Sequence, residues 1–159
     1  MIEIIDNFLE KDEFNKIRDV LMGDNFPWYY MDYITNKEDL SHKFYFAHMF
    51  YRQPLVLSEG FNLWSNTIEK LECKSLIRIK ANSYLRNNEK EINSPHADFN
   101  FKHKGCLLYI NDNNGPTYFK DEKVMPKANR IVLFDPSIEH SSSLCTDAKR
   151  RVTVNFNYF

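Results

Sequence analysis

Apolar residues in the N-terminal half of the chain recur at the three- and four-residue spacing of amphipathic helices. One such face consists of Phe14, Ile17, Val20 and Leu21. Gly23 follows this face and predicts where its helix ends. A second face consists of Phe61, Trp64, Ile68 and Leu71. We therefore predict two helices that pack through these faces, together with two aromatic strands at 26–34 and 44–51.

From residue 75 onward the pattern changes to short runs rich in β-branched and aromatic residues. These runs are 76–84, 106–110, 130–134 and 151–158. Segments rich in Asn, Asp, Gly and Pro separate them, which predicts turns. Several short strands punctuated in this way favour a sandwich or barrel over alternating βαβ units. We therefore expect a mainly β fold with flanking helices, in which two helices pack on the outside of a jelly roll.

The composition narrows the classes of protein to which this chain could belong. Its 159 residues suit one domain over 1–159, with helical and strand support in 1–74 and the jelly-roll region in 75–159. With 43% hydrophobic and 27% charged residues, the chain does not have the composition of a disordered protein. The 4 glycines exclude a glycine-rich phosphate loop. A formal net charge of −1 gives no general attraction to nucleic acid or to an anionic membrane.

The cysteines and the N-terminus bear on the cellular compartment. The three cysteines are Cys73, Cys106 and Cys145, an odd number without metal-site spacing, which favours reduced thiols. The first residues lack the basic and apolar regions of a signal peptide. No apolar run approaches the roughly 18 residues that a membrane-spanning helix needs. We expect a cytoplasmic protein.

The chemistry-bearing motif is a histidine and an aspartate two residues apart, His96 and Asp98. On an extended segment, such side chains point to the same side and can reach one metal ion. His140, 42 residues after Asp98, is the candidate third ligand. Two imidazoles and one carboxylate on one face of a metal leave three positions open, the arrangement of non-haem iron(II) oxygenases. Zinc is the lesser candidate because it more often occupies four-coordinate sites.

An oxo-acid co-substrate bound to such a metal would need a cationic partner for its far carboxylate, and the last strand offers a candidate. Residues 151–157 alternate, so that Val152, Val154 and Phe156 share one face. The other face carries Arg151, Thr153, Asn155 and Asn157. A polar face led by Arg and Thr suits a barrel interior that holds a small dicarboxylate, because a guanidinium matches a carboxylate in two-point contact. A polar face that simply meets solvent is the alternative.

The order His96-x-Asp98, His140 and Arg151-x-Thr153 resembles the 2-oxoglutarate/iron(II) oxygenase superfamily. Further segments are similar to its prolyl 4-hydroxylase-like branch. They are 77–82 before the first ligand pair, 107–112 after it, and 124–127 with 130–134 before the distal histidine. The likeness covers residues 75–159, whereas the N-terminal half carries no motif.

This resemblance implies a double-stranded β-helix, also called a cupin-like jelly roll, with Fe(II) at its open end. It implies that 2-oxoglutarate and dioxygen give succinate and carbon dioxide while a substrate C–H bond is hydroxylated. By the same match, Arg151 would pair with the distal carboxylate of 2-oxoglutarate and Thr153 would assist. Asn82 and Tyr84, which share a face of the preceding strand, are further candidates for the co-substrate pocket.

Three departures from the branch weaken the expectation of a prolyl substrate. Arg151 stands where collagen-type enzymes usually have Lys, 115–117 replaces a Gly-Gly-Glu, and Asn129 replaces a Gly. The substrate is therefore expected to be a peptide, with a peptidyl proline as one option, or a small molecule. A nucleic-acid oxygenase and a non-catalytic jelly-roll binding protein are the alternatives. A halogenase is disfavoured because Asp98 occupies the position that a halide would need.

The remaining histidines favour structural or surface roles. His103, between two lysines, resembles a solvated basic loop, and His42 and His48 flank an aromatic strand. We expect residues 28–34 and 111–117 to line the entrance to the site. The sequence does not define the oligomeric state.

Overall fold

A computed structural model describes residues 2–35, 43–120 and 122–159 of the chain. Over these ranges the secondary structure consists of short helices on an antiparallel β scaffold. The helices are α1 (Lys11–Met22), a 3₁₀-helix (Glu59–Trp64) and α2 (Ser65–Lys70). The strands are β1 (Glu3–Ile5), β2 (Tyr29–Met31), β3 (Tyr45–Arg52), β4 (Leu55–Val56), β5 (Leu76–Leu85), β6 (Lys104–Tyr109), β7 (Thr117–Phe119), β8 (Glu122–Val124), β9 (Arg130–Phe134), β10 (His140–Ser142) and β11 (Arg150–Tyr158).

The strands form a large sheet and a small sheet. The large sheet has the order β1-β9-β6-β11-β5-β3-β2, with β4 paired to β3, and the small sheet has the order β10-β7-β8. Every strand pair is antiparallel. Side chains of both sheets meet in an apolar cluster that joins Leu107, Tyr109 and Val132 of the large sheet to Val124 and Phe119 of the small one. The predicted jelly roll with flanking helices is confirmed.

The two faces of the large sheet have different surroundings because its strands alternate. On β11, Val152, Val154 and Phe156 are fully buried in the main apolar core. The same core contains Phe14, Ile17 and Leu21 of α1, together with Trp64 and Leu71 near α2. The helices therefore cover the apolar face of the sheet, as predicted, and this leaves the opposite, polar face to line the space between the sheets.

The predicted elements are found, with differences at their ends. Gly23 ends α1 as expected, whereas Val20 of the predicted apolar face is 42% exposed. The second helix is divided into the 3₁₀-helix and α2, and the strand predicted at 26–34 is reduced to β2. His42 lies outside the described residues. None of the helices in the described ranges is long and apolar enough to cross a membrane.

Candidate metal centre and its cavity

Backbone pairing brings the two candidate histidine ligands together. His96 forms an isolated antiparallel bridge with His140, the first residue of β10, through two backbone hydrogen bonds of 3.0 Å. Two residues further along, the Asp98 backbone N–H donates to the Pro136 carbonyl at 2.8 Å. The loop that carries His96 and Asp98 is therefore tied at two points to the segment that leads into β10.

The three side chains form one potential ligand set. His96, Asp98 and His140 each offer one atom that could bind a metal, and these three atoms lie within 4.8 Å of one another. The centroids of the two imidazole rings are 4.7 Å apart. His140 Nδ1 lies 3.0 Å from the Ile138 carbonyl, so Nδ1 carries the proton and Nε2 keeps the lone pair that a metal needs. His96 Nδ1 is buried without a hydrogen-bond partner among the described residues. An unpaired buried ring nitrogen beside a carboxylate and a second imidazole fits a bound metal ion.

The protonation states also suit metal binding. Burial, with a further contribution from His140, lowers the pKa of His96 to about 4, so this imidazole is neutral near pH 7. Burial opposes ionisation of Asp98, but the Arg78 guanidinium, His140 and the Asn157 amide together hold its pKa well below the usual range. The set therefore offers two imidazoles, of which His96 is held neutral, and one carboxylate, which are the ligand types of an Fe(II) facial triad.

A hydrogen-bond network holds the Asp98 carboxylate in place. Arg78 donates to Asp98 Oδ1 at 2.6 Å, while Asn155 and Asn157 donate to Oδ2 at 3.0 and 2.9 Å. Arg78 Nε also donates to Asn157 Oδ1 at 3.0 Å. Arg78 and Asn157 are directly opposite each other in the β5–β11 register, so the sheet itself positions these partners. The carboxylate is thus neutralised and oriented by the protein.

His103 belongs to this network, and the predicted solvated loop is wrong at this residue. His103 is only 6% exposed. Its Nδ1 lies 2.8 Å from the Phe101 carbonyl, and its Nε2 lies 3.1 Å from Asn157 Nδ2. Because a carbonyl only accepts, Nδ1 is the donor and Nε2 accepts the second Asn157 N–H. His103 therefore fixes the amide that orients Asp98.

Arg151, the predicted co-substrate residue, lies on the cavity side of β11 and is 1% exposed. It donates to the Gly115 carbonyl at 2.9 Å and to Thr117 Oγ1 at 2.7 Å. The rings of Tyr84 and Tyr109 lie 5.4 and 5.7 Å from the guanidinium carbon. No carboxylate of the described residues forms an ion pair with Arg151. Burying a guanidinium without a counter-ion is unfavourable, and an anionic ligand would offset that cost.

Arg150, by contrast, points away from the cavity. Its guanidinium donates to the Met22 carbonyl at 2.9 Å and lies over the Trp28 ring. The alternation of β11 thus places the two neighbouring arginines on opposite faces of the sheet, with Arg151 inside.

One cavity of about 280 Å³ connects the ligand set to Arg151. The other predicted pocket residues, Asn82, Tyr84 and Thr153, line it. Of the two segments predicted to line the entrance, 28–34 contributes Met31, Tyr33 and Ile34 to the cavity lining, and 111–117 contributes Thr117. Two basic residues of β5, Arg78 and Lys80, also line the cavity and were not predicted. They share a face with Asn82 and Tyr84, so extending that alternation towards the start of β5 would have identified them.

Comparisons with solved structures reveal the same fold. A viral collagen prolyl hydroxylase from Paramecium bursaria Chlorella virus-1, solved with 2OG, matches with a TM-score of 0.63 and 14% identity over 98% of this chain and 94% of that chain. An oxidoreductase of the 2OG-Fe(II) oxygenase family from Burkholderia pseudomallei matches with a TM-score of 0.73 and 10% identity over 99% and 84%. A prolyl hydroxylase from Trichoplax adhaerens, solved with a peptide fragment of a hypoxia inducible factor, matches with a TM-score of 0.66 and 12% identity over 99% and 83%.

No protein-family model and no curated protein sequence matches the chain. The solved structures nevertheless match over nearly its whole length. At these identities the likeness defines the fold, which is that of the 2OG-Fe(II) oxygenases, including prolyl hydroxylases. The resemblance predicted from the sequence is confirmed at this level.

Proposed function

We propose that residues 1–159 form one oxygenase domain that uses Fe(II), 2-oxoglutarate and dioxygen to hydroxylate a substrate C–H bond. The observation that carries this proposal is the pairing, within one cavity, of a ligand set (His96, Asp98 and His140) with an uncompensated buried cation (Arg151). A dicarboxylate whose keto-acid end faces the ligand set and whose other end meets the guanidinium would satisfy both.

Each residue then has a defined task. His96, Asp98 and His140 would hold Fe(II), which supplies activation of dioxygen when it is bound. Arg151 would bind the distal carboxylate of 2-oxoglutarate, with its orientation fixed by Gly115 and Thr117. The remaining cavity residues would bind the rest of the co-substrate and limit the access of water. They are Asn82, Tyr84 and Thr153.

The proposed balance is that one atom of dioxygen enters succinate and the other enters the hydroxylated product. The carbon dioxide comes from the keto-acid end of 2-oxoglutarate, whose oxidation supplies the electrons. The substrate is proposed to be a peptide or a small molecule, with a peptidyl proline as one option, and the compartment to be the cytoplasm. A nucleic-acid substrate, or a jelly roll that binds without catalysis, is the alternative.

Anaerobic titration of the protein with Fe(II) and 2-oxoglutarate tests the proposal, because 2-oxoglutarate that chelates Fe(II) gives a weak visible charge-transfer band. We expect the band in the wild type, its loss in His96→Ala and Asp98→Ala, and no change in Glu139→Gln, a matched control at an exposed position. Arg151→Met should raise the 2-oxoglutarate concentration needed for the band by about 100-fold, whereas Arg150→Met should not.

The remaining outcomes separate the alternatives. His140→Ala should abolish turnover in a folded protein, and full activity in that variant would remove His140 from the ligand set. Iron binding without a band in the wild type would leave the jelly roll intact but would contradict the oxygenase function.

A further inference from the structure

Lys80 is a cationic residue of the cavity to which the proposed reaction assigns no role. It lies on β5 between Arg78 and Asn82, on the face that lines the cavity, and directly opposite Asn155 of β11. Its Nζ donates to the Tyr45 hydroxyl at 2.6 Å and lies 5.0 Å from the centroid of the Tyr45 ring. No carboxylate of the described ranges forms an ion pair with it.

The groups around Lys80 offer donors rather than acceptors. Because the Tyr45 oxygen accepts from Lys80, its own O–H remains available to donate, and the ammonium keeps further N–H donors. Burial, and then the neighbouring Arg78 guanidinium, lowers the pKa of Lys80 to about 8, which leaves the ammonium form dominant at neutral pH. The cluster therefore combines a positive charge with donors that have no acceptor among the described residues.

The charge balance of the cavity points in the same direction. Its described lining contains the three cations Arg78, Lys80 and Arg151 but the single carboxylate Asp98. The charges of Fe(II) and 2-oxoglutarate cancel, so loading the site does not remove this excess of positive charge. An ammonium that is partly buried without a counter-ion is unfavourable, and an anionic ligand would offset that cost.

We propose that the substrate carries an oxyanion group, a carboxylate or a phosphate, that binds to Lys80 Nζ and the Tyr45 hydroxyl. This inference rests on the proposed function. Same-face residues two apart on a strand are separated by about 7 Å, so Lys80 lies about one such step from Arg78, the partner of the metal ligand Asp98. If the anionic group of the substrate is held at Lys80, a substrate carbon a few bonds from that group would lie close to the metal.

Lys80 would also determine specificity. A neutral analogue of the substrate would leave the ammonium and the Tyr45 O–H without an acceptor in a partly buried site, and sites built to bind a polar group discriminate against analogues that lack it. Neither of the other two cations in the described cavity lining is available to replace it. Arg78 is already paired with Asp98, and Arg151 is assigned to 2-oxoglutarate.

The test uses anaerobic protein loaded with Fe(II) and saturating 2-oxoglutarate, with the charge-transfer band as the check on loading. Acetate or methyl phosphate is then titrated, and broadening of its methyl proton line by the paramagnetic iron reports binding near the metal. We expect saturable broadening in the wild type and in Lys123→Met, a control at an exposed lysine of β8. Lys80→Met should weaken binding at least about tenfold, and Tyr45→Phe should weaken it less.

The outcomes are distinguishable. Preference for acetate identifies a carboxylate substrate, and preference for methyl phosphate identifies a phosphorylated one. A normal band without saturable broadening, or with equal broadening in Lys80→Met, overturns the inference while leaving the oxygenase function intact. A band that needs more 2-oxoglutarate in Lys80→Met also overturns it, since Lys80 would then serve the co-substrate. Absence of the band in the wild type removes both proposals.

Discussion

The two ends of the cavity differ in how their charges are compensated. At the metal end, the Asp98 carboxylate is neutralised by Arg78 and oriented by two asparagine amides. At the opposite end, Arg151 is equally enclosed, yet its partners in the described ranges are a carbonyl, a hydroxyl and two aromatic rings, all of them neutral. The carboxylate at the metal end is balanced by a guanidinium of the protein, whereas Arg151 has no counter-ion among the described residues.

This difference separates two purposes of buried charge. The Arg78–Asp98 pair belongs to the folded protein itself, and breaking it leaves a carboxylate unpaired in a poorly solvated site. Arg151, which we propose binds the co-substrate, is present at a cost in stability, because its desolvation is offset only by neutral hydrogen bonds. Stability and ligand binding should therefore respond in opposite ways to mutation at the two ends.

The largest expected effect is on the stability of the metal-free protein. Arg78→Met should lower the free energy of unfolding by about 3 kcal/mol because it leaves Asp98 buried and unpaired. Arg151→Met should change it by no more than about 1 kcal/mol, since the lost hydrogen bonds are offset by removal of an uncompensated charge. Urea denaturation of both variants at pH 7 measures the difference.

Metal addition provides the control for that comparison. A bound divalent cation would replace the missing guanidinium, so Fe(II) should stabilise Arg78→Met more than it stabilises the wild type. Equal destabilisation by the two mutations, with equal recovery on adding metal, would show that the two ends of the cavity are energetically alike.

A second effect should appear as the pH is lowered in the absence of metal. The folded-state pKa of His96 is about 4, against an ordinary value of 6.5. Above pH 6.5 neither state binds the proton, and between pH 6.5 and 4 the unfolded chain binds it while the folded protein does not. The free energy of unfolding should therefore fall by about 2 kcal/mol between pH 7 and pH 4.5.

His96→Gln isolates this contribution, because its side chain does not titrate. The lowered pKa of Asp98 acts in a lower window, where stability is lost only as the pH falls below the ordinary carboxyl value of 3.8. Urea denaturation at pH 7, 5.5 and 4.5 should show a steeper loss in the wild type than in His96→Gln. Parallel slopes would mean that His96 is not protected from protonation.

Local patterns predicted most of the scaffold. The alternation along β11 placed Arg151 and Arg150 on the correct opposite faces, because a period of two leaves no freedom once one face is apolar. The three-residue strands β7, β8 and β10 were not predicted, since they are too short to show a period. Their pairing depends on the rest of the jelly roll, and so does the bridge that joins His96 to His140.

The network behind the metal ligands could not be predicted from spacing alone. His103 lies between two lysines, and nothing in that local pattern indicates that it contacts Asn157, 54 residues later in the chain. Arg78 is different, because it belongs to a face whose other members were already candidates. The alternation of β5 indicated where the Arg78 side chain would point. Its ion pair with Asp98, however, depends on the path of the loop between β5 and β6, which carries Asp98.

The smallest expected effect concerns His103, a positioning residue that acts on Asp98 through Asn157. His103→Leu removes the acceptor for one Asn157 N–H and should weaken Fe(II) binding about tenfold, as loss of such outer partners commonly does. His103→Gln, which keeps an acceptor, should recover part of that affinity. Lys102→Met, at the exposed neighbouring position, should behave as wild type in a competitive chelator titration. Because a purely structural role would lower thermal stability without changing metal affinity in the folded protein, unchanged Fe(II) affinity in a destabilised His103→Leu would remove His103 from the metal centre.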